Sequence, residues 1–246
     1  MPAPNPFASL NGKVVLVTGA TGNLGRVVVK RLLETGAVVA AVYRDEARFQ
    51  DLVVFVGGAN DSLGGFKADV TLETSVRDMV GAVLIRYGRI DALLNLAGDY
   101  RGGADISTTA EDDWDYLIRT NLKSAFLCSR AVLPAMMKAN SGRIVCVAAR
   151  PAVEKKGRAK SGAYAVSKAG VVVLTETMAE ETGKFGLTVN CILPGTIDTP
   201  ENRTAIPGGD FAKWAKPEEI ATVLLFLISD GSSVTSGAAI PVFGKS

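Results

Sequence analysis

Histidine is absent from the 246 residues. That one absence removes nucleophilic triads built on an imidazole base and most zinc sites. Cysteine is scarce: Cys128, Cys146 and Cys191 are odd in number, widely spaced and set in apolar runs. The pattern is that of buried free thiols, not of a disulfide frame. No apolar run approaches the ~18 residues of a membrane span, and the opening MPAPNPFASL lacks a hydrophobic signal core, so a cytoplasmic location is expected. Charge of one sign is missing as well. The net charge is +2, and basic residues are scattered without aromatic interleaving, which gives no reason to expect nucleic acid. What remains is 48% apolar and 21% charged, the composition of a globular protein with a sizeable core.

Between Arg150 and Lys160 stand Arg150, Lys155, Lys156, Arg158 and Lys160 against a single acid, Glu154. Such a segment is either a solvated loop or a basic rim that attracts an anionic substrate. Elsewhere short β-branched runs alternate with segments of helical period. Strands are expected at 13–18, 37–43, 65–69, 90–96, 143–148, 188–193 and 239–242, and helices at 24–35, 74–87, 111–139, 164–185 and 217–229. Pro134 should bend or end the helix that contains it. Strands apolar on consecutive residues are covered on both faces. The whole pattern predicts one α/β domain over residues 1–246, a doubly wound (Rossmann) seven-stranded parallel sheet with helices on both faces.

The first strand runs into Thr18-Gly19-Ala20-Thr21-Gly22-Asn23-Leu24-Gly25, and a helix follows. Glycines at 19, 22 and 25 allow a tight turn, close approach of a pyrophosphate and close packing of helix on strand, while the helix N-terminus offers free N–H groups. At the end of the second strand an acid would bind the ribose hydroxyl of NAD and an arginine the 2′-phosphate of NADP. Here Tyr43 stands at the acid's place and Arg44 follows, which favours NADP; Asp45 would return the choice to NAD if the register shifted. Further on, Tyr164 and Lys168 are one helical turn apart. An ammonium beside a phenol stabilises the phenolate and brings the pair toward a general acid's working range.

Six ordered motifs carry a resemblance: TGATGNLG at 18–25, Asp69-Val70, Asn95-Leu96-Ala97-Gly98, Asn121 in RTNLKSAF, Tyr164-x-x-x-Lys168, and Pro194-Gly195-Thr196-Ile197-Asp198-Thr199. Over its full length the chain resembles the short-chain dehydrogenase/reductases. The resemblance implies that Gly19, Thr21, Gly22, Asn23, Leu24 and Gly25 form the pyrophosphate turn and that Asp69 and Val70 flank the adenine. Asn95, Ala97 and Gly98 would line the cofactor groove, and Pro194, Gly195, Ile197 and Thr199 would hold the nicotinamide. Tyr164 would protonate the substrate. Lys168 would bind the ribose and lower the tyrosine's pKa, with Asn121 anchoring a water that links Lys168 to solvent.

The family's usual oxyanion-holding serine falls at Ala149, and Ser161 or Thr196 are candidate replacements. The stretch from Leu193 to Glu218, with its Asp-Thr-Pro-Glu-Asn-Arg core, resembles the dihydropteridine reductase branch, which also carries alanine there and reduces a quinonoid pterin. Two classes of function stay open. One is an NADP(H)-dependent reductase of a carbonyl or pterin-like compound; the other is a catalytically silent NADP-binding sensor. The substrate pocket is expected at 99–104, 150–163 and 200–214. The resemblance implies a homodimer or homotetramer packed through helices 111–139 and 164–185, a small-molecule substrate, and no metal or membrane partner.

Overall fold

A computed structural model describes residues 7–59, 61–155 and 157–245. The opening MPAPNP and Lys156, which were read above with the signal peptide and the basic segment, lie outside the described residues.

Strand and helix alternate as β1 (Val14–Thr18), α1 (Asn23–Glu34), β2 (Val38–Tyr43), α2 (Glu46–Phe55), β3 (Leu63–Lys67), α3 (Glu73–Tyr87) and β4 (Ala92–Asn95). There follow α4 (Glu111–Leu117), α5 (Ser124–Ala139), β5 (Gly142–Val147), α6 (Arg150–Val153), α7 (Gly162–Thr182), β6 (Leu187–Pro194), α8 (Pro200–Ala205), α9 (Pro217–Ile228) and β7 (Ala239–Val242). All seven strands are parallel, in the order β3-β2-β1-β4-β5-β6-β7. The order reverses between β1 and β4, and a crevice at the carboxyl ends of those strands is where open α/β sheets bind ligands.

Strand alternation divides the core into two layers. Val14, Leu16, Ala40, Val42, Leu93, Ile144 and Cys146 face the layer formed with α3, α5 and α7. Val15, Val17, Val39, Ala41, Leu94 and Val145 face α1 and α9. Burial on both sides explains why the strands read as unbroken apolar runs.

Three features depart from the sequence reading. The helix expected over 111–139 is interrupted by a π-helical stretch at Ile118–Lys123, a feature common at functional sites. Pro134 does not end α5, which continues to Ala139 with Val132 and Met136 buried on either side of the proline. The tertiary contacts of those neighbours outweigh one missing helical hydrogen bond. Helices α2, α6 and α8 were not expected: α2 buries only Leu52 and so shows almost no apolar stripe, while α6 and α8 are only four and six residues long.

Candidate active site

The glycine turn is shaped by what its residues lack. Gly19 has φ +65°, and a Cβ there would fall 2.8 Å from the Ala97 nitrogen. A Cβ on Gly25 would enter the Gly19 carbonyl oxygen. The turn therefore closes against both the 95–98 segment and the start of α1. The Ala97 N–H donates to the Thr18 hydroxyl at 3.2 Å and ties the two sides of the groove. Gly22 occupies the N-cap of α1 without a side-chain cap, and no acid stands in the first turn. These are the features of an anion site. Asn23 reaches across to α8, its amide donating to the Glu201 carboxylate at 2.5 Å.

Arg44 is exposed just past β2. Its neighbour Asp45 is occupied otherwise: the carboxylate accepts from Ala47 N–H at 2.8 Å and from Arg48 N–H at 3.4 Å, capping α2. The Tyr43 ring stacks on Phe49 at 4.6 Å and its hydroxyl donates to Glu46. Asp69 lies two residues beyond β3, where burial raises its carboxyl pKa. Two hydrogen bonds from Thr71 and the charges of Arg44 and Arg119 outweigh that burial and hold it below the ordinary value. Val70 beside it is buried.

Asn121 sits in the π stretch and is 1% exposed. Its amide oxygen accepts from Asp99 N–H at 2.8 Å, and its amide nitrogen donates to the Asp99 carbonyl and to the Ser167 hydroxyl, each at 3.0 Å. The bulged backbone thus docks the loop after β4 onto α7. Gly98 completes the junction: a Cβ there would stand 2.9 Å from the Asn121 oxygen and 3.1 Å from the Lys168 nitrogen. Asn95, further in, donates to Ser129 at 3.0 Å and to the Cys146 sulfur at 3.5 Å.

Tyr164 and Lys168 share one face of α7. The Lys168 Nζ lies 6.0 Å from the Tyr164 ring centre and donates to the Val147 carbonyl at 2.8 Å. Lys168 is 5% exposed, and burial lowers its pKa to about 8. The expected lowering of the tyrosine's pKa is reversed. Burial foremost, then Tyr100 and Asp99, hold the Tyr164 proton well above its ordinary range, and the lysine's ammonium is engaged by a carbonyl instead of the phenol.

Ala149 is 5% exposed at the N-cap of α6. Ser161 does not replace the missing hydroxyl, since its own donates to the Gly157 carbonyl at 2.6 Å and lies within reach of Arg158 O at 3.3 Å. The basic segment also turns inward in part. Arg150 pairs with Glu154 and lies over Phe243, while Arg158 donates to the carbonyls of Pro151 and Ala152. Lys155 and Lys160 remain exposed.

Pro194 is buried at the end of β6, and a Cβ on Gly195 just beyond it would stand 3.0 Å from the Phe243 carbonyl. Ile197 bridges to Ala215, and Thr199 caps α8 by accepting from Asn202 N–H. Arg203 makes a two-pronged pair with Asp198 at 2.5 and 2.8 Å and lies over Phe211, which packs edge-on against Trp214. The Asp-Thr-Pro-Glu-Asn-Arg stretch is therefore a scaffold for its own loop. Asp99 and Tyr100 were read from sequence only as part of the 99–104 pocket segment, with no role of their own, and Tyr116 and Ser167 were not singled out. The glycine pair at 102–103 after β4 was the one local sign that a tight loop stands there.

The family profile described as short chain dehydrogenase matches residues 13–208. The chain belongs to the short-chain dehydrogenases. Members of this family are oxidoreductases that use NAD(P). The chain is 35% identical over 243 residues to a protein named 3-oxoacyl-[acyl-carrier-protein] reductase from Thermotoga maritima, covering 96% of this chain and 98% of that one. It is 35% identical to a D-threitol dehydrogenase from Mycolicibacterium smegmatis, with 96% and 93% covered. Among solved structures, a variant of the actinorhodin polyketide ketoreductase with NADPH superposes with a TM-score of 0.87 at 29% identity, covering 95% and 96% of the two chains. Reductases of other substrates thus share this short-chain dehydrogenase's fold and length. Among the described residues no helix is long and apolar enough to cross a membrane, and no group of three acidic, cysteine or histidine side chains could hold a metal.

Proposed function

We propose that the protein is an NADP(H)-dependent reductase of a small-molecule carbonyl, with a 3-oxoacyl thioester as the substrate class. The observation that carries this reading is the pair on α7: a buried lysine ammonium and a phenol beside a groove that Gly19, Ala97 and Gly98 keep narrow. The thioester is suggested by relatives named for that activity and by the exposed Lys155 and Lys160 at the rim.

The residues present suit the dinucleotide. The glycines at 19 and 25 let the turn close where a Cβ would collide with backbone, and the exposed Arg44 would meet a 2′-phosphate while Asp45 is tied up as a cap. Asp69 and Val70 would flank the adenine, and Pro194, Gly195, Ile197 and Thr199 would hold the amide end. When bound, the reduced nicotinamide supplies a hydride to the carbonyl carbon. Tyr164 gives its proton to the carbonyl oxygen, and the Lys168 ammonium stabilises the phenolate left behind. With a pKa near 8, most of the lysine keeps its charge at pH 7. Asn121 holds the loop and helix in register and would anchor a water that links Lys168 to solvent.

The buried methyl of Ala149 favours a second reading, a quinonoid pterin-like substrate that makes less demand on an oxyanion donor. Exposed Phe126, Val166 and Val173 on α5 and α7 suit cover by a second copy of the chain.

The test is NADPH and NADH oxidation with a short 3-oxoacyl thioester and with quinonoid dihydropterin. Wild type is expected to oxidise NADPH with the thioester. Tyr164→Phe should lose about 10²–10⁴-fold in turnover with NADPH still bound, and Arg44→Ala should lower the preference for NADPH about tenfold. Turnover of the pterin alone would give the second reading. Binding without turnover of either would make the protein a sensor.

A further inference from the structure

Tyr164 and Lys168 are held by a chain of contacts that begins on other elements. On α7 the Ser167 hydroxyl donates to the Tyr164 carbonyl at 2.7 Å and accepts from the Asn121 amide at 3.0 Å. Asn121 in turn clasps the Asp99 backbone, accepting from its N–H at 2.8 Å and donating to its carbonyl at 3.0 Å. Gly98, next to Asp99, lies against the lysine: a Cβ there would stand 3.1 Å from the Lys168 Nζ. The position of the Asp99 backbone is thus felt by both members of the pair.

Asp99 itself is exposed, so its carboxylate needs donors to hold one orientation against side-chain entropy. Two are present. One oxygen accepts from the Tyr100 N–H at 2.8 Å and the other from the Tyr116 hydroxyl at 2.6 Å. The second donor comes from a separate element, the last turn of α4. Tyr116 and Asn121 are five positions apart, and in a regular α-helix they would point about 140° apart. The π-helical stretch that starts at Ile118 intervenes, and both side chains reach Asp99. The Tyr116 ring is seated as well. The Arg101 guanidinium lies 3.6 Å from its centre and pairs at 2.6 Å with Asp113, one turn earlier on α4.

We propose that Tyr116 is a positioning residue for the reduction, setting the Tyr164–Lys168 pair through the Asp99 carboxylate and Asn121. This rests on the reductase reading above. It adds no proton or hydride transfer, since the hydroxyl proton stays on Tyr116: the bond to Asp99 foremost, then burial, holds it there above the ordinary range. The Asp99 charge also reaches Tyr164, whose proton it helps to hold after burial and Tyr100.

A misplacement of about 1 Å at reacting groups can cost about 10²-fold in rate, and loss of one anchor is expected to cost about tenfold. The experiment measures kcat and KM for NADPH-dependent reduction of whichever substrate wild type turns over, a short 3-oxoacyl thioester or quinonoid dihydropterin. Wild type, Tyr116→Phe, Asp99→Ala and the double variant are compared, with NADPH titration by fluorescence and urea unfolding as controls for the fold. Tyr116→Phe keeps the ring beneath Arg101 and loses only the hydroxyl. Its kcat should fall about tenfold while KM and NADPH affinity stay within about twofold. The double variant should be as slow as Asp99→Ala and no slower, because both changes cut one path. The proposal is overturned if Tyr116→Phe retains kcat within about twofold, if KM or NADPH affinity carries the loss, or if the two losses multiply. A wild type that binds NADPH and reduces neither substrate overturns the reductase reading itself, and this proposal falls with it.

Discussion

The two sides of the cleft are built by opposite means. The turn at 18–25 closes on itself and on the facing 95–98 segment backbone to backbone, and what matters there is the absence of side-chain atoms at Gly19 and Gly25. The proposed substrate rim is assembled from positive pairings between separate stretches: Asp99 with Tyr116, Arg101 with Asp113, Asp198 with Arg203, Arg203 over Phe211. A missing atom has no alternative, because any Cβ collides. A pairing can be exchanged for another that closes the same loop. One side can therefore stay fixed across enzymes while the other changes substrate, which is how loops on a rigid scaffold come to carry specificity.

The strongest way to break this contrast is Gly25→Ala. The added methyl enters the Gly19 carbonyl, and both partners are backbone, so neither can step aside cheaply. Overpacking of that kind costs about 1–3 kcal/mol. The change should also open the turn, weakening NADPH binding by about 100-fold or more, on the order of 3 kcal/mol. Fluorescence titration and urea unfolding measure the two effects. Binding within fivefold of wild type would mean the close approach does not shape the site.

Lys168 lies where the two sides meet, and it sets function against stability. Its pKa falls from 10.5 to about 8 on burial, so the unfolded chain holds the proton more tightly. Folding therefore loses stability to this group fully below pH 8, and the loss fades as pH rises toward 10.5. At 1.36 kcal/mol per unit the penalty is about 3 kcal/mol, reduced by the bond to Val147. Lys168→Met should be inactive yet more stable than wild type at pH 7, with the two unfolding curves converging as pH approaches 10.5. Wild-type kcat should fall as pH rises through about 8, where the ammonium is lost. A stability gap that widens with pH would overturn the assignment.

The same division decides what could be read from sequence. Strands covered on both faces and glycines at fixed spacing are local signals, and β7 and α3 fell within a residue of expectation. Helix α2 was missed because burying Leu52 alone leaves no periodic stripe. The π stretch was missed because its cause lies elsewhere, in the Asp99 backbone that Asn121 holds. Tyr164 and Lys168 were legible as a pair one turn apart. Which way each points was not: the carbonyl of Val147 and the ring of Tyr100, seventeen and sixty-four positions upstream of Tyr164, decide it.

The smallest effect is expected at the rim, where Arg203→Met sharpens the contrast. Arg203 is exposed on α8 and pairs with Asp198 in the turn before that helix, and the pairing holds the Asp198 carboxyl below its ordinary value. Methionine keeps the length of the side chain, can still cover Phe211, and loses both hydrogen bonds. The fold should be unaffected, since such exposed pairs contribute little to stability. NADPH affinity should stay within about twofold, because the turn does not use this pair, while KM for the substrate rises several-fold as α8 loses its anchor. Steady-state kinetics beside an NADPH titration separate the two. An equal loss in both would show that the Asn23–Glu201 contact carries rim and turn as one unit, and the division between a fixed side and an exchangeable side would not hold.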